Sequence, residues 1–116
     1  MNDIKRIAIM ICTDSIGTDE PVLGKTLMKS YIYSVAEADI KPSVIMFLNK
    51  GVNLTTTGST VLDSLKQLEE EGVEIISCGA CLDFYKLKES LEVGVIGNMY
   101  TNVENMHEAD NTIVIT

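Results

Sequence analysis

The segment Cys78-Gly79-Ala80-Cys81 carries two thiols three residues apart. It follows an apolar, strand-like run from Val73 to Ile76 and opens a short helix read over Leu82 to Lys88. Both sulfurs therefore belong at the carboxyl end of a strand and the amino end of a helix. Ligands and reactive groups collect there in open α/β sheets. The partial positive charge of a helix N-terminus favours thiolate over thiol. Thiolate is the nucleophile of sulfur chemistry, so the pair reads as a redox or sulfur-transfer site. A pair of buried, inert cysteines is the competing structural reading.

Two other uses of the spacing fit less well. A structural zinc site needs four ligands. Cys12 and His107 are the remaining thiol and imidazole; Cys12 closes an apolar strand, and His107 ends a helix far along the chain. A lone histidine on a helix is ordinarily a solvated surface residue, so no metal is expected. A thioredoxin-like dithiol has the right spacing, but thioredoxin folds place it after an early strand, whereas here it comes late.

Five apolar runs can position such a site. Ile7 to Cys12, Val44 to Leu48 and Thr112 to Ile115 are continuous rather than alternating, as in strands covered on both faces. Val73 to Ile76 is a fourth, and Val93 to Ile96 a weaker fifth. Helical patterns lie between them. Over Val22 to Ala38, Leu23, Leu27, Tyr31 and Val35 recur every four residues, with Met28 and Ile32 alongside. Thr18 or Asp19 can cap this helix, Glu20 sits in its first turn, and Pro42 follows its end. In Ser59 to Glu71, Val61, Leu62, Leu65 and Leu68 face inward and Gly72 suits the C′ position. Met99, Tyr100, Val103 and Met106 mark a last helix. The alternation predicts a three-layer α/β/α domain with a mostly parallel five-stranded sheet, one domain over 1–116. Ile9, Ile11, Ile45, Phe47, Ile75 and Val114 are its expected core.

The loops after the strands share one rim in such a fold. Asp14, Ser15 and Gly17 follow the first strand, Asn49 and Gly51 the second, Gly79 joins the cysteines after the third, and Asn98 follows the fourth. Thiols ringed by hydroxyls, amides and glycine N–H groups make a site with donors for a small anion. The first loop has some likeness to a flavodoxin phosphate loop. Asp14 and Glu20 would repel phosphate, however, and a chain without Trp has little to sandwich a flavin. No G-x-G-x-x-G or P-loop is present, so no nucleotide or other cofactor is expected.

A net charge of −8 argues against nucleic acid and anionic membranes as partners, since both need a basic face. Three cysteines, an odd number, suit free thiols in a reducing compartment better than a disulfide framework. Lys5 and Arg6 precede Ile7 to Cys12 as in a short signal, but six apolar residues fall short of an h-region. The cytoplasm is the expected location.

Taken together and in order, several segments are similar to the DsrE-like domain of the YedF family. They are Thr13 to Gly17, Leu23 to Lys29, Asn49 to Val52, Gly58 to Leu62, Leu68 to Ile75, Cys78 to Tyr85 and Asn98 to Thr101. YedF is described as a sulfurtransferase-like protein of selenium metabolism. The resemblance implies a DsrE/F-like fold, a homo-oligomer, and a sulfur relay in which a cysteine carries sulfane sulfur, or selenium, as a persulfide. Cys78 matches the sulfur-carrying position of the wider group, and Cys81 belongs to the C-G-x-C form. Sulfur donor and acceptor proteins are the implied partners, a TusA-like protein among them. The chain departs from the family in two places. It lacks the Cys-Pro-x-Pro motif of the TusA-like domain that YedF proteins usually carry at the N-terminus, so that cysteine would come from another protein or segment. Lys86 stands where glycine is expected after Tyr85. The competing functions are a binding, assembly or regulatory protein with incidental cysteines, or a small flavodoxin-like ligand binder.

Overall fold

The computed structural model describes residues 5–116. Five strands form one sheet: β1 Ile7–Ile11, β2 Val44–Phe47, β3 Glu74–Cys78, β4 Val95–Gly97 and β5 Asn111–Ile115. Every pairing is parallel, and the order across the sheet is β4-β3-β2-β1-β5. The helices are α1 Pro21–Glu37, α2 Leu62–Glu70, α3 Gly79–Phe84 and α4 Met99–Glu108, with 3₁₀ turns at Asn49–Leu54 and Lys88–Ser90. This is the expected α/β class.

The chain steps one strand at a time from β1 to β4, then returns across the sheet to β5. Right-handed crossovers put helices of the outward steps on one face and the returning helix on the other. The packing agrees. Met28, Ile32 and Ala36 of α1 and Leu65 and Leu68 of α2 bury Ile9, Ile11, Ile45, Phe47 and Ile75. Met106 of α4 and Ala109 just beyond it lie against the opposite face, over Ala8, Met10, Val44, Met46 and Ile76.

One helix cannot cover five strands. The register aligns Val95, Ile76, Met46, Met10 and Val114 in a row on the α4 face. The three central members are buried, while Val95 is 58 % and Val114 52 % exposed. Val114 was expected in the core; it sits instead on edge strand β5, where it is left half exposed. The inward residue of α4 is Asn102, 1 % exposed, and its Oδ1 has no partner among the described residues. An unpaired buried polar atom costs about 1–3 kcal/mol.

The buried stripe of α1 also differs from expectation. It runs through Gly24, Met28, Ile32 and Ala36, one residue on from Leu23, Leu27, Tyr31 and Val35. Leu23 and Leu27 are exposed, and Tyr31 and Val35 are half-buried. The small residues decide this: Gly24 packs so closely on the preceding loop that a side chain there would overlap Ser15 Oγ. The helix starts from Glu20 with no side-chain cap, relying on Pro21 in its first turn rather than on Thr18 or Asp19. No helix among the described residues is long and apolar enough to cross a membrane.

Candidate functional site

Helix α3 begins earlier than its apolar pattern suggests. Cys78 is its N-cap, with extended backbone, and Gly79 its first residue. Cys81 therefore lies in the first turn, on the same side of the helix as Cys78. Both pack against the same apolar cluster on one face of the sheet. The backbone N–H of Asn49, at the end of β2, donates to Cys81 Sγ at 3.1 Å. The sulfur thus takes its amide from the neighbouring strand's loop.

Asn49 is held in place from below. It has a left-handed φ of 49° and opens the 3₁₀ turn. Within that turn Gly51 rests on the end of β1, where any side chain would overlap the carbonyl oxygen of Ile11. Thr55, just after it, is buried with its hydroxyl 2.7 Å from that of Ser77 in β3.

A third sulfur joins the pair. Cys12 follows β1, donates its N–H to the carbonyl of Ile115, and packs against the same apolar cluster as Cys78 and Cys81. All three cysteines are free; Cys78 is 7 % exposed, whereas Cys12 and Cys81 are half-buried. The sulfurs thus gather over the carboxyl ends of β1 to β3, beside the point where the sheet order reverses between β1 and β5. The sequence signal for Cys12 was its place at a strand's carboxyl end, but an apolar strand also reads as burial. Among the described residues, no group of His, Cys, Asp or Glu is arranged to hold a metal ion.

The other rim residues do not converge on the thiols. Asp14 Oδ2 accepts from Asn53 Nδ2 at 3.0 Å and lies 3.7 Å from Lys25 Nζ, lining a separate hollow of about 230 Å³ with Lys29, Ser59 and Thr60. Ser15 is tied into its own turn through Thr13 Oγ1 and packs on α1. Gly17 makes an exposed turn at φ 84°. Asn98 caps α4, its Oδ1 accepting from both N–H and Oγ1 of Thr101 at 3.0 Å. Of the expected anion-binding set, Asn49 reaches the sulfur, Gly51 supports it, and Gly79 starts α3.

Thiolate was expected to be favoured at this helix start. Burial instead pushes the Cys81 thiol up; the Asn49 amide pulls it down, and Cys78 and Cys12 push it up further. Burial raises Cys12 as well. A short helix terminus is worth about 0.3–1 kcal/mol, too little to reverse desolvation. Alkylation of Cys81 by iodoacetamide should therefore keep accelerating as pH rises past the ordinary thiol value of about 8.5; a plateau below that pH would contradict the burial. Because these thiols titrate higher in the folded state, they stabilise it fully below the unfolded thiol pKa. That contribution is lost as pH rises through the folded values.

Lys86 does not supply a cation to the thiols. It lies past the far end of α3, with Asp83, Lys88 and Glu89. Its φ is 58°, and its N–H bonds to the carbonyl of Asp83 while that of Leu87 bonds to Leu82 at 2.7 Å. This is a Schellman ending, which favours glycine at that position. Lys86→Gly should therefore stabilise the fold by about 0.5–1 kcal/mol, the left-handed penalty less the entropy of glycine. The urea midpoint should rise; a fall would mean that the lysine side chain contributes more than its strain costs.

The same architecture occurs in solved structures that share little sequence with this chain. The ychN protein of E. coli superposes with a TM-score of 0.74 at 15 % identity, over 96 % of this chain and 99 % of that one. MTH1491 of Methanobacterium thermoautotrophicum, described as a protein of unknown function, gives 0.69 at 18 %, over 95 % and 98 %. BT1422 of Bacteroides thetaiotaomicron, also of unknown function, gives 0.64 at 13 %, over 98 % and 100 %. No curated protein matches the chain in sequence. A family model, in contrast, spans the strands, the rim and all three cysteines, matching residues 5–115, and by that match the chain belongs to the DsrE/DsrF-like family.

Proposed function

We propose that this protein is a sulfur-relay carrier that holds sulfane sulfur, or selenium, as a persulfide on the Cys78–Cys81 pair. The family is associated with sulfur relay in general. The observation that carries the reading is Cys81: a half-buried free thiol with a backbone amide on its sulfur and a second thiol beside it. The thiolate of Cys81 attacks the outer sulfur of a donor persulfide. The donor's S–S bond breaks, its thiolate leaves, and a new S–S bond forms on Cys81. The Asn49 amide is placed to offset negative charge there. Transfer onward repeats the step with a partner thiol as nucleophile. Cys81, being the more accessible, is the residue we assign to meet the donor; the sequence pattern alone favoured Cys78.

Within the family, we place the chain nearest YedF, on the order of its motifs, with a TusA-like protein among its partners and a reducing cytoplasm as its compartment. Its net charge of −8 argues against nucleic acid or anionic membranes as partners. The test is intact mass after incubation with a persulfide donor. One added sulfur per chain, mapped to the peptide holding Cys78 and Cys81, supports the reading; an unchanged mass removes it.

An assembly role is compatible with the same chain. Val95, Val114, Met99 and Tyr100 expose apolar surface around α4, and we propose that a second copy covers it. Sedimentation at tens of micromolar should show a homo-oligomer, and Val114→Lys should shift it to monomer. A monomeric wild-type protein would remove the proposal.

A further inference from the structure

We propose that the site can discharge its sulfur as sulfide: Cys78 attacks the persulfide of Cys81 at its inner sulfur, forming a Cys78–Cys81 disulfide and releasing hydrosulfide. The inference rests on the persulfide reading above and adds an exit for the sulfur that needs no acceptor protein.

Position is the first argument. Cys78 caps α3 and Cys81 lies three residues on, in its first turn and on the same side, and both pack against the same apolar cluster. The two sulfurs are therefore neighbours, and Cys81 Sγ is the atom that becomes the inner sulfur of the persulfide. Access is the second. Cys78 is buried on the core side, packed with Met46 and Ile76, while Cys81 is half-buried. An outer sulfur on Cys81 points to solvent as Cys78 approaches from within. Nucleophile, inner sulfur and leaving sulfur can therefore line up, as thiol–disulfide exchange requires. An external thiol, approaching from solvent, meets the outer sulfur first and receives it by transfer. The two routes are thus separated by direction of attack.

Cys12 is the less suitable resolving thiol. It follows β1, on a different element from α3, whereas Cys78 and Cys81 share one helix start three residues apart. The N-cap and first-turn positions of Cys78 and Cys81 are those of a C-x-x-C pair at a helix start, a spacing that supports redox-active disulfides.

The step balances without an added oxidant. The bond between Cys81 Sγ and the outer sulfur breaks, and its electron pair leaves with the outer sulfur. A bond forms between the two cysteine sulfurs, and the Cys78 proton goes to the departing hydrosulfide. The sulfane sulfur is reduced to sulfide, and the two cysteines are oxidised to a disulfide. One turnover needs no reductant; further turnovers need a dithiol to reopen the disulfide.

The experiment uses the full chain loaded with glutathione persulfide, freed of donor by gel filtration and held without reductant. Released sulfide is trapped with monobromobimane while intact mass is followed. The wild type should release up to one sulfide per loaded chain as the adduct is replaced by a species lacking two hydrogens, mapped to Cys78–Cys81. Cys78→Ser and Cys78→Ala should keep the adduct and release sulfide roughly ten-fold or more slowly, while Cys12→Ser behaves as wild type. A stable wild-type adduct without sulfide overturns this step alone. So does release unchanged in both Cys78 variants, or a disulfide that maps to Cys12. Absence of any adduct in the wild type and in both Cys78 variants overturns the carrier reading, and this step with it.

Discussion

Cys81→Ser is expected to abolish persulfide loading and to remove most of the alkylation seen near neutral pH, while Cys78→Ser retains loading. The expectation follows from access. Sulfur transfer requires collinear approach of a donor, and at 7 % exposure Cys78 offers it little surface, whereas Cys81 is half-buried beside an open rim. The chemistry also follows the Asn49 amide, which reaches Cys81 rather than Cys78. Serine keeps the size of cysteine and can accept the same N–H, so Cys81→Ser should stay folded, with its urea midpoint within about 1 kcal/mol of wild type. Intact mass after exposure to a persulfide donor reads loading, and peptide mapping of the alkylated chain reads reactivity. Loading lost in Cys78→Ser but kept in Cys81→Ser would reverse the assignment. Loading unchanged in both would end the carrier proposal for this pair.

Gly51→Ala is expected to destabilise the protein by about 2–3 kcal/mol, the range for forcing atoms into a packed interior. The methyl group would meet the carbonyl of Ile11. That carbonyl belongs to a central strand and already accepts the N–H of Leu48. Neither side of the clash is a flexible side chain, so the 3₁₀ turn must lift away from β1, taking Asn49 with it. Gly79→Ala, between the two site cysteines, is the informative contrast. Its methyl group would meet the Cγ2 methyl of Ile96 at 3.1 Å. That side chain lies on an edge strand and can rotate, and alanine is the better helix former. Its effect should stay within about 0.5 kcal/mol. Urea unfolding of the two variants separates the cases; equal effects would mean that the turn does not rest on β1 as described.

The α/β class, the five strands and the inward face of α2 could be read from the chain itself, because these are local properties. A strand buried on both faces must be apolar throughout, as Ile7 to Ile11 and Val44 to Phe47 are. Leu65 and Leu68 repeat at the helical period. Gly72 ends α2 with the bonding that its type predicts. The C-x-x-C spacing likewise placed Cys78 and Cys81 at a strand-to-helix junction without knowledge of any neighbour.

What only the tertiary structure decided depends on residues far apart in sequence. The exposure of Val114 follows from strand order, since an apolar residue at a sheet edge has the same local pattern as one at the centre. The face that α1 buries was set by how closely Gly24 and Ala36 let it approach, and a count of apolar residues favours the bulkier neighbours. Asp14, Ser15 and Asn98 share the cysteines' rim but spend their polar atoms on turns, an ion pair and a cap. The convergence of Cys12 on Cys81, and the amide that Asn49 brings to its sulfur from 32 residues away, exist because β1, β2 and β3 are adjacent. Burial of that cluster then outweighs the helix terminus in setting the thiol's proton affinity, because desolvation acts on the whole charge and the terminal dipole on only part of it.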